Sequence, residues 1–239
     1  MKKKISIFII LLILTGCTAS ANINIDYNGN IKEEIVINFE NKKAVNYNTP
    51  TEYAKSFIDY YDNAIRYKKY SYQISENKND TDVTFYKEEN NICETIKYSL
   101  FSQYLYKNIE CIEDEEYYTV ESINDNLISK PLSEKKFDVT KVNLNITVPG
   151  GLVENNADNV SKSTYTWIFD QSTDISKKVY FKISKNRMKE EKQKEELKIH
   201  NKKVTNIGTK IFTIFIIILI ISISGMILYK KYKNNRLEY

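Results

Sequence analysis

The sequence predicts an α+β fold: a mainly antiparallel sheet with one or two packed helices, then a charged juxtamembrane helix and a single C-terminal transmembrane helix. Three observations carry this. Short segments alternate apolar and polar residues between turn residues; one segment repeats apolar residues at helical spacing; and Ile211–Tyr229 is an uncharged run of nineteen residues. Alternation marks half-buried strands, spacing of three and four an amphipathic helix, and about 20 apolar residues a bilayer crossing.

The chain opens with Lys2-Lys3-Lys4, the apolar run Ile5–Leu14, and Thr15-Gly16-Cys17. A basic start followed by about ten apolar residues is a secretory signal, too short to span a bilayer. Asn22–Tyr27 then alternates, with Ile23, Ile25 and Tyr27 on one face, Asn28-Gly29 makes a turn, and Ile31–Phe39 continues as its hairpin partner. Thr49-Pro50-Thr51-Glu52 opens a helix with a hydroxyl cap and an early proline. Across Glu52–Lys69, Tyr53, Phe57, Tyr60, Ala64 and Tyr67 form a stripe widened by Ala54, Ile58, Tyr61 and Ile65, so one helix face lies on the sheet.

Tyr70–Ser75 and Asp82–Lys87 read as strands joined by the polar turn Glu76–Thr81. Ile92–Lys107 fits helix by its Ile92, Ile96, Leu100, Tyr104 spacing and strand by its β-branched and aromatic content. Glu116–Ile123, Asp138–Val148, Tyr165–Phe169 and Val179–Ile183 supply further strands, the second of them closed by Pro149-Gly150-Gly151. Ser184–Ile207 alternates Lys and Glu without a continuous apolar face and reads as a solvated helix carrying Glu190–Lys194 and Lys192–Glu196 pairs. The span that follows would be about 28 Å long, against a hydrocarbon core of about 30 Å.

Charge divides along the chain. Residues 18–183 carry 19 Lys+Arg against 26 Asp+Glu, whereas residues 184–239 carry 13 against 5. An acidic body argues against nucleic acid as a partner. Lys230, Lys231, Lys233 and Arg236 after the span satisfy the positive-inside rule, with the body outside and the tail cytoplasmic. The expected organisation is a signal peptide at 1–16, an extracytoplasmic domain at 17–183, a juxtamembrane helix at 184–208, a transmembrane helix at 209–229 and a basic tail at 230–239. With only about four residues between Cys17 and the first strand, the domain would start within roughly 14 Å of the bilayer, held against it at both ends.

The chemistry-bearing residues exclude several classes. A single histidine, His200, offers no catalytic triad, and three cysteines with it offer no zinc cluster. The six glycines form neither G-x-G-x-x-G nor a P-loop. No catalytic residue, metal site or cofactor is expected. The acidic run Glu113–Glu116 lacks the spacing of a calcium loop and reads as a solvated surface. Cys93 and Cys111 are either a disulfide, closing a loop of about 18 residues for roughly 3 kcal/mol, or two buried thiols. Thirteen of the 19 tyrosines lie between Tyr47 and Tyr118. They suit a ligand surface, with Tyr53, Phe57, Tyr60, Tyr61 and Trp167 as its candidates, or they reflect the codon bias of an AT-rich genome and ordinary core packing.

Leu14-Thr15-Gly16-Cys17 resembles the bacterial lipobox, which implies cleavage before Cys17 and lipid attachment to its sulfur; the alternative is an ordinary signal peptide with Cys17 incidental. Val142–Phe169, with Val148-Pro149-Gly150, Asn156-Ala157-Asp158 and Thr166-Trp167, resembles the LppM-type domain of bacterial lipoproteins. That resemblance implies an α+β domain at the cell membrane, with a pocket for a lipid or glycolipid and no catalytic residues. The expected function is a non-enzymatic, membrane-anchored lipoprotein binding a lipid, glycolipid or envelope partner. The alternatives are a structural or sensory adaptor acting through its transmembrane helix on a protein partner, and an envelope glycan hydrolase working through two carboxylates.

Overall fold

The computed structural model describes residues 17–44, 46–67, 70–125 and 139–235. Two compact units are distinguished, one ending at Glu191 and one beginning at Lys192. The expected signal peptide falls outside the described residues, as do residues 236–239 of the tail.

In the first unit, β1 (Cys17–Ile25) and β2 (Ile31–Glu40) form an antiparallel hairpin. Its turn rests on Asp26, whose carboxylate accepts the N–H groups of Asn28 at 2.7 Å and Asn30 at 2.9 Å, while Gly29 takes φ +81°. Helix α1 (Pro50–Tyr67) starts with side-chain caps: the Thr49 hydroxyl accepts the Glu52 N–H and the Glu52 carboxylate accepts the Asn48 N–H. Strands β3 (Ser71–Glu76) and β4 (Asp80–Glu89) form the second hairpin, and β4 pairs with β2.

The ambiguous stretch resolves into both alternatives. Asn91 caps α2 (Ile92–Tyr98), and Ser99, held extended at ψ 152°, ends it and caps α3 (Leu100–Leu105). From Tyr106 the chain is strand: β5 (Tyr106–Glu113) pairs with β6 (Tyr117–Asn124). Two polar caps eight residues apart hold each helix to about two turns, which a single helical period does not reveal.

After β7 (Val139–Thr147) come β8 (Leu152–Asn155), β9 (Asn159–Ser161), β10 (Thr164–Asp170) and β11 (Lys178–Ser184). The strands form two sheets where the sequence suggested one. The larger runs β3-β4-β2-β1-β7-β10-β9 and the smaller β5-β6-β11-β8. Among the described residues every pairing is antiparallel except β1 with β7. The sheets meet at Trp167 of β10 and Phe181 of β11, whose rings lie 5.7 Å apart and are both sealed from solvent. The core face of the larger sheet is covered by α1, where Phe57 packs edge-on against Phe39 at 5.4 Å.

The first strand begins at Cys17, five residues before the expected start. Cys17, Ala19 and Ala21 continue the inward alternation of Ile23 and Ile25 with side chains too small to announce it. No leash therefore separates Cys17 from the fold.

Helix α4 (Lys185–Asn235) is continuous across the expected boundary between charged helix and span. Its first turn docks on the Pro149–Gly151 turn, where Gly150 and Gly151 take φ +75° and +73° and a Cβ on Gly150 would stand 3.0 Å from the Arg187 Cβ. Since Thr147 pairs beside Asn24 and Val139 beside Cys17, α4 begins at the opposite end of the larger sheet from Cys17, roughly 25 Å away. Within the first unit, Cys17 and the start of α4 thus lie at opposite ends of the larger sheet.

Among the described residues, no helix is long and apolar enough to cross a membrane. The described side chains of the apolar run extend from Phe212 to Ile227, all exposed; those of Ile211, Leu228 and Tyr229 lie outside the description. The expected span is therefore not shown.

Candidate functional site

An apolar cavity of about 60 Å³ lies between the helices and the core face of the larger sheet. Its floor is Ala19 of β1, Ile35 and Ile37 of β2, Phe85 of β4, and Val139 and Val142 of β7. Its walls are Phe57 of α1 and Leu100, Phe101 and Tyr104 of α3. Strand alternation sets the floor, because Ala19 pairs with Ile37 on one side and Val142 on the other, so all three point the same way. Ala19, Leu100 and Tyr104 are half-buried and form the rim, while the other lining residues are buried. The volume is below the 300–1,000 Å³ of sites that enclose a whole drug-sized ligand. It accepts a short run of methylenes, not a complete acyl chain.

A buried polar bond fixes one wall. The Tyr70 hydroxyl donates to the carboxylate of Glu33, itself 1% exposed, and accepts the backbone N–H of Leu100 at 3.1 Å, where α3 begins. Burial, then the Glu33 charge, raises the Tyr70 phenol well above the usual tyrosine range, so it stays a proton donor. A second tie comes from the Cys93–Cys111 disulfide, with Cα atoms 5.2 Å apart, which fastens α2 to β5.

Of the residues the sequence offered as a ligand surface, one lines this cavity: Phe57. Tyr53 is half-buried on the same helix, packed against Phe39 at 5.4 Å and Tyr47 at 5.1 Å. The side chains of Tyr60 and Tyr61 lie outside the described residues. Trp167 is 0% exposed and does not line this cavity. Its indole N–H donates to Asn156 Oδ1 at 2.8 Å. The neighbouring Asp158 accepts the Ile168 N–H at 2.6 Å and pairs with Lys177 at 2.6 Å. The Asn-Ala-Asp and Thr-Trp steps thus clasp β10 to the strand entering the second sheet.

Sequence reasoning missed Leu100, Phe101 and Tyr104 as a wall, although Leu100 and Tyr104 stood at helical spacing. The remaining candidates have structural placements. Asp114 accepts the Glu116 and Tyr117 N–H groups and makes the β5–β6 turn. Glu113 bonds Lys185 at 2.8 Å, and this bond holds its carboxyl below the usual range. His200 lies exposed on α4. Among the described residues no three His, Cys, Asp or Glu side chains converge as a metal site. Cys17 is fully buried at the start of β1.

No family model matches the chain, and no curated protein matches it. Among solved structures it is similar to the folded domain of the Mycobacterium tuberculosis protein LppM, determined by NMR. Identity is 11% and the TM-score 0.46, over 72% of this chain and 92% of that one.

Proposed function

We propose that this chain is a membrane-anchored extracytoplasmic lipoprotein, lipidated at Cys17 and crossing the bilayer with Ile211–Tyr229, whose domain performs no catalysis and binds the apolar part of a lipid or glycolipid. The observation that carries the binding half is the cavity walled by Phe57, Leu100, Phe101 and Tyr104, which offers apolar contact and a half-buried rim. Its size favours the tip of an acyl chain, with the rest of the amphiphile outside.

The membrane half is supported by exposure. Between Phe212 and Ile227, twelve large apolar side chains face outward, several of them more than 60% exposed. Leaving such a surface in water costs on the order of 20 kcal/mol at 1.5–3 kcal/mol per side chain, whereas a bilayer removes that cost. With Ile211, Leu228 and Tyr229 the run reaches about 28 Å, and the basic residues after it orient the domain outward.

The test of binding is extraction of the chain from its own membranes, followed by mass spectrometry of co-purifying lipids in the wild type and in Ile37→Trp, which fills the cavity. Lipid retained by the wild type and lost in the variant supports the reading. Equal retention in both contradicts it.

A second reading, an adaptor transmitting an external state through its membrane helix, is favoured by one observation: α4 runs unbroken from its seat on Gly150 to Asn235. In-membrane crosslinking that captures a protein through Phe212–Ile227 would select it.

A further inference from the structure

The outermost strand of a sheet presents backbone N–H and C=O groups that can pair with another chain, and folded proteins blunt such strands by shortness, charge, proline or a bulge. Among the described residues the two sheets end in four strands: β3 and β9 in the larger, β5 and β8 in the smaller. Three of them are blunted. β9 has three residues and is followed by Lys162 at φ +55°. β5 exposes Lys107, Glu110 and Glu113, and its register shifts between Tyr106 and Asn108. β8 has four residues, carries Glu154 and pairs with β11 across a register shift.

β3 has none of these devices. Its six residues, Ser71-Tyr72-Gln73-Ile74-Ser75-Glu76, pair with β4 in unbroken register. They include no proline and no charge before Glu76, whose carboxylate accepts the Thr51 O–H. All but Ile74 are exposed, Tyr72 by 51%. A regular, uncharged edge of this kind is a template for strand addition, in which main-chain hydrogen bonds supply the affinity.

The side chains of the strand select the partner. Tyr72 and Ile74 pair with the buried Phe85 and Val83 and so lie on the core face, while Ser71, Gln73 and Ser75 lie on the outer face. A second β3 added antiparallel across a two-fold axis must set like faces together. With the axis at Gln73, Tyr72 stands opposite Ile74 of the other copy twice, Ser71 opposite Ser75 twice, and Gln73 opposite its own counterpart. Aromatic with β-branched and hydroxyl with hydroxyl are favourable cross-strand pairs, and no like charges meet. An axis at Ile74 would set Tyr72 against Glu76, and one at Tyr72 would pair only Ser71, Tyr72 and Gln73 of each strand. From this self-complementarity we infer that β3 is a homodimer interface: two copies of the chain join edge to edge about a two-fold axis at Gln73, making one continuous antiparallel sheet. The inference goes beyond the lipid-binding reading and does not depend on it.

The test is thiol cross-linking of the full chain in the cells that express it. With the axis at Gln73, the Cβ atoms of residue 73 in the two copies stand about 5 Å apart, whereas those of residue 75 stand roughly 14 Å apart, four residues along the strand. Both side chains are exposed, so cysteine at either position leaves the fold intact. Cys93 and Cys111 are joined and Cys17 is buried, which gives the wild type a low background. A short thiol-to-thiol cross-linker should yield about tenfold more dimer from Gln73→Cys than from Ser75→Cys, because only the first pair is within its reach. Absence of dimer from Gln73→Cys, or equal yields from both variants, overturns the inference. Charge supplies a second readout, taken from co-purification of two differently tagged copies. Gln73→Lys and Gln73→Glu should each lose the dimer, since like charges then meet at the axis, and the two variants expressed together should regain it. A dimer that persists in either variant alone, or that mixing does not restore, overturns β3 as the interface.

Discussion

The indole N–H of Trp167 and the side-chain oxygen of Asn156 meet at 2.8 Å, and that oxygen also accepts the Tyr180 N–H at 2.8 Å. The Asn156 amide donates in turn to the Lys178 carbonyl at 2.9 Å. One side chain thus ties a buried ring of the larger sheet to β11 of the smaller. Replacing Asn156 with Leu leaves a buried indole N–H without its acceptor and should cost about 1–3 kcal/mol. Urea unfolding of wild type and variant, followed by Trp167 fluorescence, measures it; a change below 0.3 kcal/mol would show that the clasp does not hold the sheets.

Tyr70→Phe removes the donor to Glu33 and the acceptor of the Leu100 N–H together. Both partners are buried or nearly so, and the expected loss is roughly 2–4 kcal/mol. Because Leu100 starts the wall of the cavity, amide exchange in Leu100–Leu105 should rise more than in β10. Uniform acceleration across the domain would mean that the bond has no local role.

The Cys93–Cys111 bridge closes a separation of 18 residues. Chain-entropy arguments give about 3 kcal/mol for such a loop. The Cys93→Ala, Cys111→Ala double variant should therefore melt lower under non-reducing conditions, and a reductant should shift the wild type by a similar amount but leave the variant unchanged. A reductant that shifts both equally would act elsewhere.

Acid should weaken the domain through its turn carboxylates. Hydrogen bonds from backbone N–H groups lower Asp114, Lys185 lowers Glu113, and Ser172 lowers Asp170. A carboxyl lowered in the folded state stabilises that state above its unfolded pKa, and the contribution is lost as pH falls through the folded value. Stability should thus hold from neutrality to about pH 4.5 and decline below, as read from thermal melts across pH. Lys185→Met should remove part of that decline by freeing Glu113.

Much of the fold was legible because its strands alternate with bulky side chains: Ile31–Phe39, Asp138–Val148 and Tyr165–Phe169 each matched an observed strand to within a few residues. The start of β1 was not, since Cys17, Ala19 and Ala21 bury too little surface to give a hydropathy signal. Nor was the second sheet, because which strands share a sheet depends on the parallel β1–β7 pair, a contact across more than a hundred residues. The site was half legible. Phe57 stood on a helical stripe, but the stripe does not say whether a void lies beneath it. Trp167 lies outside this cavity, and a lone tryptophan near a Pro-Gly turn looks the same in sequence wherever its ring is buried.

The proposed lipoprotein is anchored through a lipid on the Cys17 sulfur. The intact mass of the N-terminal peptide of the mature chain, isolated from membranes, tests it most directly. The expected peptide begins at Cys17 and carries a diacylglyceryl group on its sulfur. A peptide that begins elsewhere, or begins at Cys17 with a free thiol, would contradict it.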